Sequence, residues 1–68
     1  MQIELNGQTR SLDAETLDVE ALLRDLQIEQ RRGVAIAIND RVVPRSTWQT
    51  HTVQDGDRVE IIRATQGG

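Results

Sequence analysis

Side chains able to do covalent chemistry are few in this chain, and they are scattered. His51 is the single histidine, set between Thr50 and Thr52 with no sequence neighbour to orient it as a base. There is no Cys, which removes thiolate nucleophiles, disulfides and thiolate metal ligands together. Ser11 and Ser46 have no His-based activation in view. Asp55 and Asp57 flank Gly56 at a spacing that suits a turn and does not resemble a calcium loop. Gly7, Gly33 and Gly56 stand alone and form no phosphate cradle. What is left is the terminus. Gly67-Gly68 puts a carboxylate on an arm without side chains, shortly after the apolar run Val59-Glu60-Ile61-Ile62. Such an end reads either as a frayed terminus or as a handle that another protein's active site can reach and activate. The remainder of the chain has to separate the two.

Composition narrows the field. The chain has 68 residues, enough for one small domain, and at this size folding buries only about 60% of the unfolded surface. Eleven acidic against eight basic residues give a net charge of −3, which argues against nucleic acid as the main partner because phosphate binding needs clustered cations. All eight cations are Arg. The absence of Lys leaves no side-chain amine to attack an activated terminal carbonyl, although a plain bias toward Arg accounts for it as simply. No apolar run approaches the ~20 residues of a membrane helix, and the first residues lack the basic-then-apolar pattern of a signal peptide. The expected location is the cytoplasm, with no membrane partner.

The elements that would position the terminus follow from periodicity. Gln2-Ile3-Glu4-Leu5 alternates like a half-buried strand. Asn6-Gly7 is a strong hairpin signal, with Gln8 to Leu12 returning as a second strand. Val19, Leu22, Leu23 and Leu26 then fall on one helix face. Thr16 is the expected N-cap, Gly33 the expected C-terminal stop, and Arg31-Arg32 sit where they would complement the helix dipole. Val34 to Ile38 reads as a strand with its β-branched residues toward the helix and its Ala face open. Asn39-Asp40 turns the chain, Arg41-Val42-Val43 pairs back, and Pro44 ends the pairing. Ser46 to Val53 is a connector anchored by Trp48, Asp55-Gly56-Asp57 is a turn, and Arg58 to Ala64 is the last strand.

This order predicts an α+β fold of the β-grasp, or ubiquitin-like, kind: a mixed sheet of about five strands on one main helix. Ile3, Leu5, Leu22, Leu23, Leu26, Ile36, Ile38, Val59 and Ile61 form the expected core. The first and last strands are expected side by side and parallel in the sheet centre, over residues 1–64, with 65–68 as a flexible tail. If Val59 and Ile61 face the helix, then Arg58, Glu60, Ile62 and Ala64 lie on the opposite face. With Ala35 and Ala37 they would make a shallow docking surface beside the tail.

The run Val34-Ala35-Ile36-Ala37-Ile38-Asn39, then Val42-Val43-Pro44-Arg45-Ser46 with Trp48, then Asp55 to Ile62, then Gly67-Gly68, resembles the ThiS family of sulfur carriers in thiamine biosynthesis. Asn6-Gly7 and Thr16-Leu17…Leu22-Leu23 also match, so the resemblance covers nearly the whole chain. Thr65 and Gln66 depart from the family's usual aliphatic residue and Gly. The resemblance implies no catalysis by the chain itself and no bound cofactor. It implies that Gly68 is the acceptor, adenylated by a ThiF-like enzyme that uses MgATP. Sulfur from a cysteine desulfurase persulfide would then give a thiocarboxylate, which the thiazole synthase ThiG consumes. The free chain would be a monomer. Thr65 to Gly68 can extend about 13–14 Å into a partner's site, and Gly67-Gly68 can pass a narrow channel. Two other readings of the same tail stay open at this point: the small subunit of molybdopterin synthase, and a ubiquitin-like modifier joined to Lys amines.

Overall fold

The structure, a computed structural model, describes residues 1–64. Strands β1 (Gln2–Leu5), β2 (Gln8–Ser11) and β3 (Leu17–Asp18) precede helix α1 (Val19–Asp25). Strands β4 (Val34–Ile38), β5 (Arg41–Val43), β6 (Thr52–Val53) and β7 (Arg58–Arg63) follow, with a 3-10 turn at Arg45–Thr47. Five strands form one sheet in the order β2-β1-β7-β4-β5, and β3 pairs with β6 in a separate two-stranded ribbon. β1 and β7 run parallel, while β7 and β4 are antiparallel from Ile38↔Val59 to Val34↔Arg63. The last strand is therefore central, as the β-grasp arrangement leads one to expect.

Helix α1 is shorter than the apolar stripe suggests, and both its ends differ from expectation. Thr16 is not the N-cap. Leu17 and Asp18 are engaged with Val53 and Thr52, so the helix cannot begin until Val19, and Asp18 caps it by accepting from the Ala21 N–H at 2.7 Å. Gly33 is not the stop. The helix closes at Asp25 in a Schellman arrangement, Gln27 N–H to Arg24 O and Ile28 N–H to Leu23 O, with Gln27 at φ +61°. Arg31 consequently lies beyond the helix end and reaches back to Glu20 in the first turn, its Nη2 2.9 Å from Oε1.

The core is Ile3, Leu22, Leu23, Ile36, Ile38 and Val59, as expected, joined by Leu12, Val19, Ile28, Val43, Trp48 and Val53. Leu5, Leu26 and Ile61, expected inside, are half-buried at its rim. β2 is followed by Leu12, which turns its side chain into the core. Leu12 still exchanges backbone hydrogen bonds with Met1, donating to Met1 O and accepting from the Met1 amine, both at 2.7 Å, so the pairing reaches Leu12 as expected. The connector is more structured than its composition suggests, since it contains the 3-10 turn and β6. Trp48 fills the space beneath it with 1% exposure and donates its indole N–H to Val43 O at 2.9 Å. The Arg45 guanidinium lies 5.7 Å from the ring centroid.

Trp48→Phe removes that donor and leaves the Val43 carbonyl facing a smaller ring. A loss of about 1–3 kcal/mol is expected, against a total of about 3–10 kcal/mol for a chain this long. Urea denaturation measures it, and a loss below about 0.5 kcal/mol would contradict the role given to the indole.

Candidate functional site

Every predicted site residue within the described region lies on or just after β7. Alternation puts Arg58, Glu60 and Ile62 on the face away from α1, and the register places Glu60 beside Ala37 and Ile62 beside Ala35. Ile62 is 60% exposed. Ala64 is exposed, and its N–H still donates to Gly33 O at 2.7 Å, so ordered pairing outlasts the strand by one residue. Gly33 has φ +76° there, a backbone region that other L-residues enter at a penalty. The glycine misread as a helix stop thus shapes the entrance to β4 opposite the strand's exit. Thr65, Gln66, Gly67 and Gly68 lie outside the described residues.

Sequence reasoning missed one part of this face. Val42 pairs with Ala37 across β4 and is 75% exposed. Ile62, Ala35, Ala37 and Val42 therefore form an apolar band across three strands. The signal was present: adjacent Val42 and Val43 in one strand must point to opposite faces, and Val43 takes the core. The other end of the face is charged. Arg58 pairs with Asp40 at 2.7 Å in an exposed bridge, worth little in stability, and Glu4 sits beside Arg58 in register.

The chemistry on offer within these residues is slight. No group of three or more His, Cys, Asp or Glu that could hold a metal exists among the described residues. His51 is exposed and is held through its backbone, its N–H donating to Thr47 O at 2.8 Å and its carbonyl accepting from Val19 N–H at 3.0 Å. Asp55 and Asp57 are occupied in tying the β6–β7 turn: Asp55 accepts from Gln2 N–H at 2.7 Å and Asp57 from Gln54 N–H at 2.9 Å. The arrangement presents a surface and a strand end. No helix among the described residues is long and apolar enough to cross a membrane.

A helix packed on a five-stranded mixed sheet with parallel, adjacent first and last sheet strands defines a β-grasp protein. The family model described as ThiS family matches residues 3–68. The sulfur carrier protein ThiS of Escherichia coli K12 is 42% identical over 69 residues, covering the whole of both chains. A thiazole synthase of Paramagnetospirillum magneticum AMB-1 is 38% identical over 68 residues; the match takes in all of this chain but only 20% of that protein. The crystal structure of a thiamine biosynthesis protein, ThiS, from Geobacter metallireducens superposes with a TM-score of 0.88 at 36% identity over the full length of both chains. The chain belongs to the ThiS family.

Because Ile62 stands in solvent, Ile62→Glu should change stability by no more than about 1 kcal/mol, the span of strand propensities. A larger loss in urea denaturation would mean that Ile62 serves the fold and is not free to serve a partner.

Proposed function

We propose that this chain carries sulfur in thiamine thiazole assembly as a co-substrate of partner enzymes, its working group being the Gly68 carboxylate. Membership of the ThiS family is the observation that carries this reading. Two features of the molecule support it. Among the described residues the side chains with nucleophilic or acid–base potential are dispersed or engaged in turns. The central strand also leads directly toward the terminal segment, so the sheet anchors the residues preceding the tail.

A carboxylate resists nucleophiles because it is anionic and resonance-stabilised. In the proposed cycle a ThiF-like enzyme binds MgATP, and a Gly68 oxygen attacks the α-phosphate. An O–P bond forms, pyrophosphate leaves, and the acyl carbon gains AMP as a leaving group. The terminal sulfur of a persulfide, supplied by a cysteine desulfurase, then attacks that carbon and displaces AMP. Cleavage of the S–S bond by a thiol, which is oxidised to a disulfide, leaves the thiocarboxylate. Thiazole synthase takes up the sulfur as the acyl C–S bond breaks, and an oxygen from water or from the sulfur acceptor bonds the acyl carbon and restores the carboxylate. That a protein named thiazole synthase contains a segment like this entire chain supports direct partnership with such an enzyme.

The proposed docking surface is the outer face of β7, with Ile62, Glu60, Arg58 and Ala64, widened by Ala35, Ala37 and Val42. Its apolar band lies toward the tail, where contact would guide Thr65, Gln66 and Gly67 into a partner's channel. Its charged end supplies orientation more than affinity.

Intact-mass spectrometry after incubation with the adenylating enzyme, MgATP, a persulfide donor and a thiol tests the cycle. The expected result is a mass increase equal to replacement of one oxygen by sulfur, located on Gly68 and abolished by deleting Gly68. An unmodified chain alongside a demonstrably active partner, or amide adducts on Lys of other proteins in its place, would overturn the reading. In the same assay Ile62→Glu should raise KM about tenfold, equivalent to about 1.4 kcal/mol of docking energy.

A further inference from the structure

β1 is too short to accompany β7 to its end. Its register on β7 stops at Leu5↔Val59, because Asn6 turns into the hairpin at φ +49°. In a continuing parallel strand the Asn6 N–H would bond Val59 O, and the Asn6 backbone carbonyl would accept the Ile61 N–H. The first bond is present at 2.9 Å. The second is made by the side chain: Asn6 Oδ1 accepts the Ile61 N–H at 2.9 Å. Asn6 Nδ2 also donates to Ile61 O, at 3.3 Å. One carboxamide thus meets both backbone groups of one residue, as the facing residue of a hydrogen-bonded antiparallel pair would. Past this point a groove floored by Leu26, Ile28 and Ile61 opens along the β1 side of β7.

The opposite end of β7 repeats the device. Asn39 leaves β4 at φ +51°. Its N–H donates to Arg58 O at 2.8 Å, and its Oδ1 accepts the Arg58 N–H at 3.0 Å, replacing the backbone carbonyl that has turned away. Asn suits both positions because it tolerates the left-handed backbone and carries a peptide-like carbonyl. The two clamps differ in what they hold. Asn39 holds the start of β7, whereas Asn6 holds the segment that precedes Arg63 and Ala64.

Building on the carrier reading, we propose that Asn6 is a positioning residue for the terminal carboxylate: its carboxamide extends the β1 ladder by one residue and holds the end of β7, from which the tail departs. Fixing that end before docking removes part of the ordering cost at the binding step. Once the tail is seated, the partner holds it, and chemistry proceeds independently of Asn6.

Asn6→Gly and Asn39→Gly form the test. Gly accepts both backbone conformations, so each variant deletes a clamp and keeps its turn. Amide hydrogen exchange of the full chain, referenced to the Leu23 amide, should show Ile61 exchanging about fivefold faster in Asn6→Gly, the factor for one lost net hydrogen bond, and unchanged in Asn39→Gly. Pyrophosphate release by the adenylating enzyme should show KM raised about fivefold with kcat unchanged in Asn6→Gly, and a wild-type KM in Asn39→Gly. A purely structural role would affect the two variants alike, since well below melting both stay folded. An unmoved KM in Asn6→Gly, or equal rises in both, overturns the proposal. Should Asn6→Gly fail to fold, Asn6→Asp keeps the acceptor, loses the Nδ2 donor, and carries the same expectation of raised KM. The exchange measurement needs no partner. A wild-type chain that is never adenylated therefore sinks the carrier reading with the kinetic role built on it, whereas normal adenylation with unmoved KM overturns the Asn6 role alone.

Discussion

The structure depends on how the backbone of β7 is satisfied. A central strand must pair its donors and acceptors on both edges, because an unmet buried peptide group costs about as much as a hydrogen bond is worth. β4 supplies one edge along the whole strand, from Val59 to Arg63. β1 supplies only part of the other, and the Asn6 carboxamide extends it. The turn before β7 is tied in as well, through Glu4 N–H to Asp57 O and Gly56 N–H to Gln2 O. The helix then covers the inner face, where Val59 is 1% exposed. β7 is thus flanked on both edges as far as Ile61, and by β4 alone over Ile62 and Arg63.

This arrangement separates scaffold from chemistry. Turn side chains that resemble reactive groups, Asp55 and Asp57, are consumed in holding β7 in place. The face opposite the helix carries Ile62 and Val42 in the open, which a fold built only for its own stability would not require. In the proposed carrier cycle the domain contributes location: a surface to dock and a rigid base for a short arm. The reaction itself belongs to the partners.

Much of this was legible because it is local. The alternation in Gln2–Leu5 and Val34–Ile38, the Asn-Gly and Asn-Asp turns, and the apolar stripe around Leu22 and Leu23 each encode their own element. What escaped is encoded by contacts between distant residues. Thr16 and Asp18 are both good caps, and only the pairing of Leu17 with Val53 decides between them. Gln27 has no intrinsic preference for a left-handed backbone, so the helix end it makes was invisible beside Gly33. Leu12, Ile28 and Val53 are buried from segments without periodicity. Of the site, the face of β7 was readable from alternation alone. The clamp by Asn6 was not, because its partner Ile61 lies 55 residues away.

The central claim is that the carboxylate at Gly68 is the reacting group. The most direct measurement compares the native chain with a semisynthetic chain ending in Gly68 carboxamide, which preserves every described contact and removes only the nucleophilic oxyanion. With a ThiF-like enzyme and MgATP, the native chain should release pyrophosphate and the amide chain should release none above background while still competing for binding. Pyrophosphate release from the amide chain at the native rate would contradict the account.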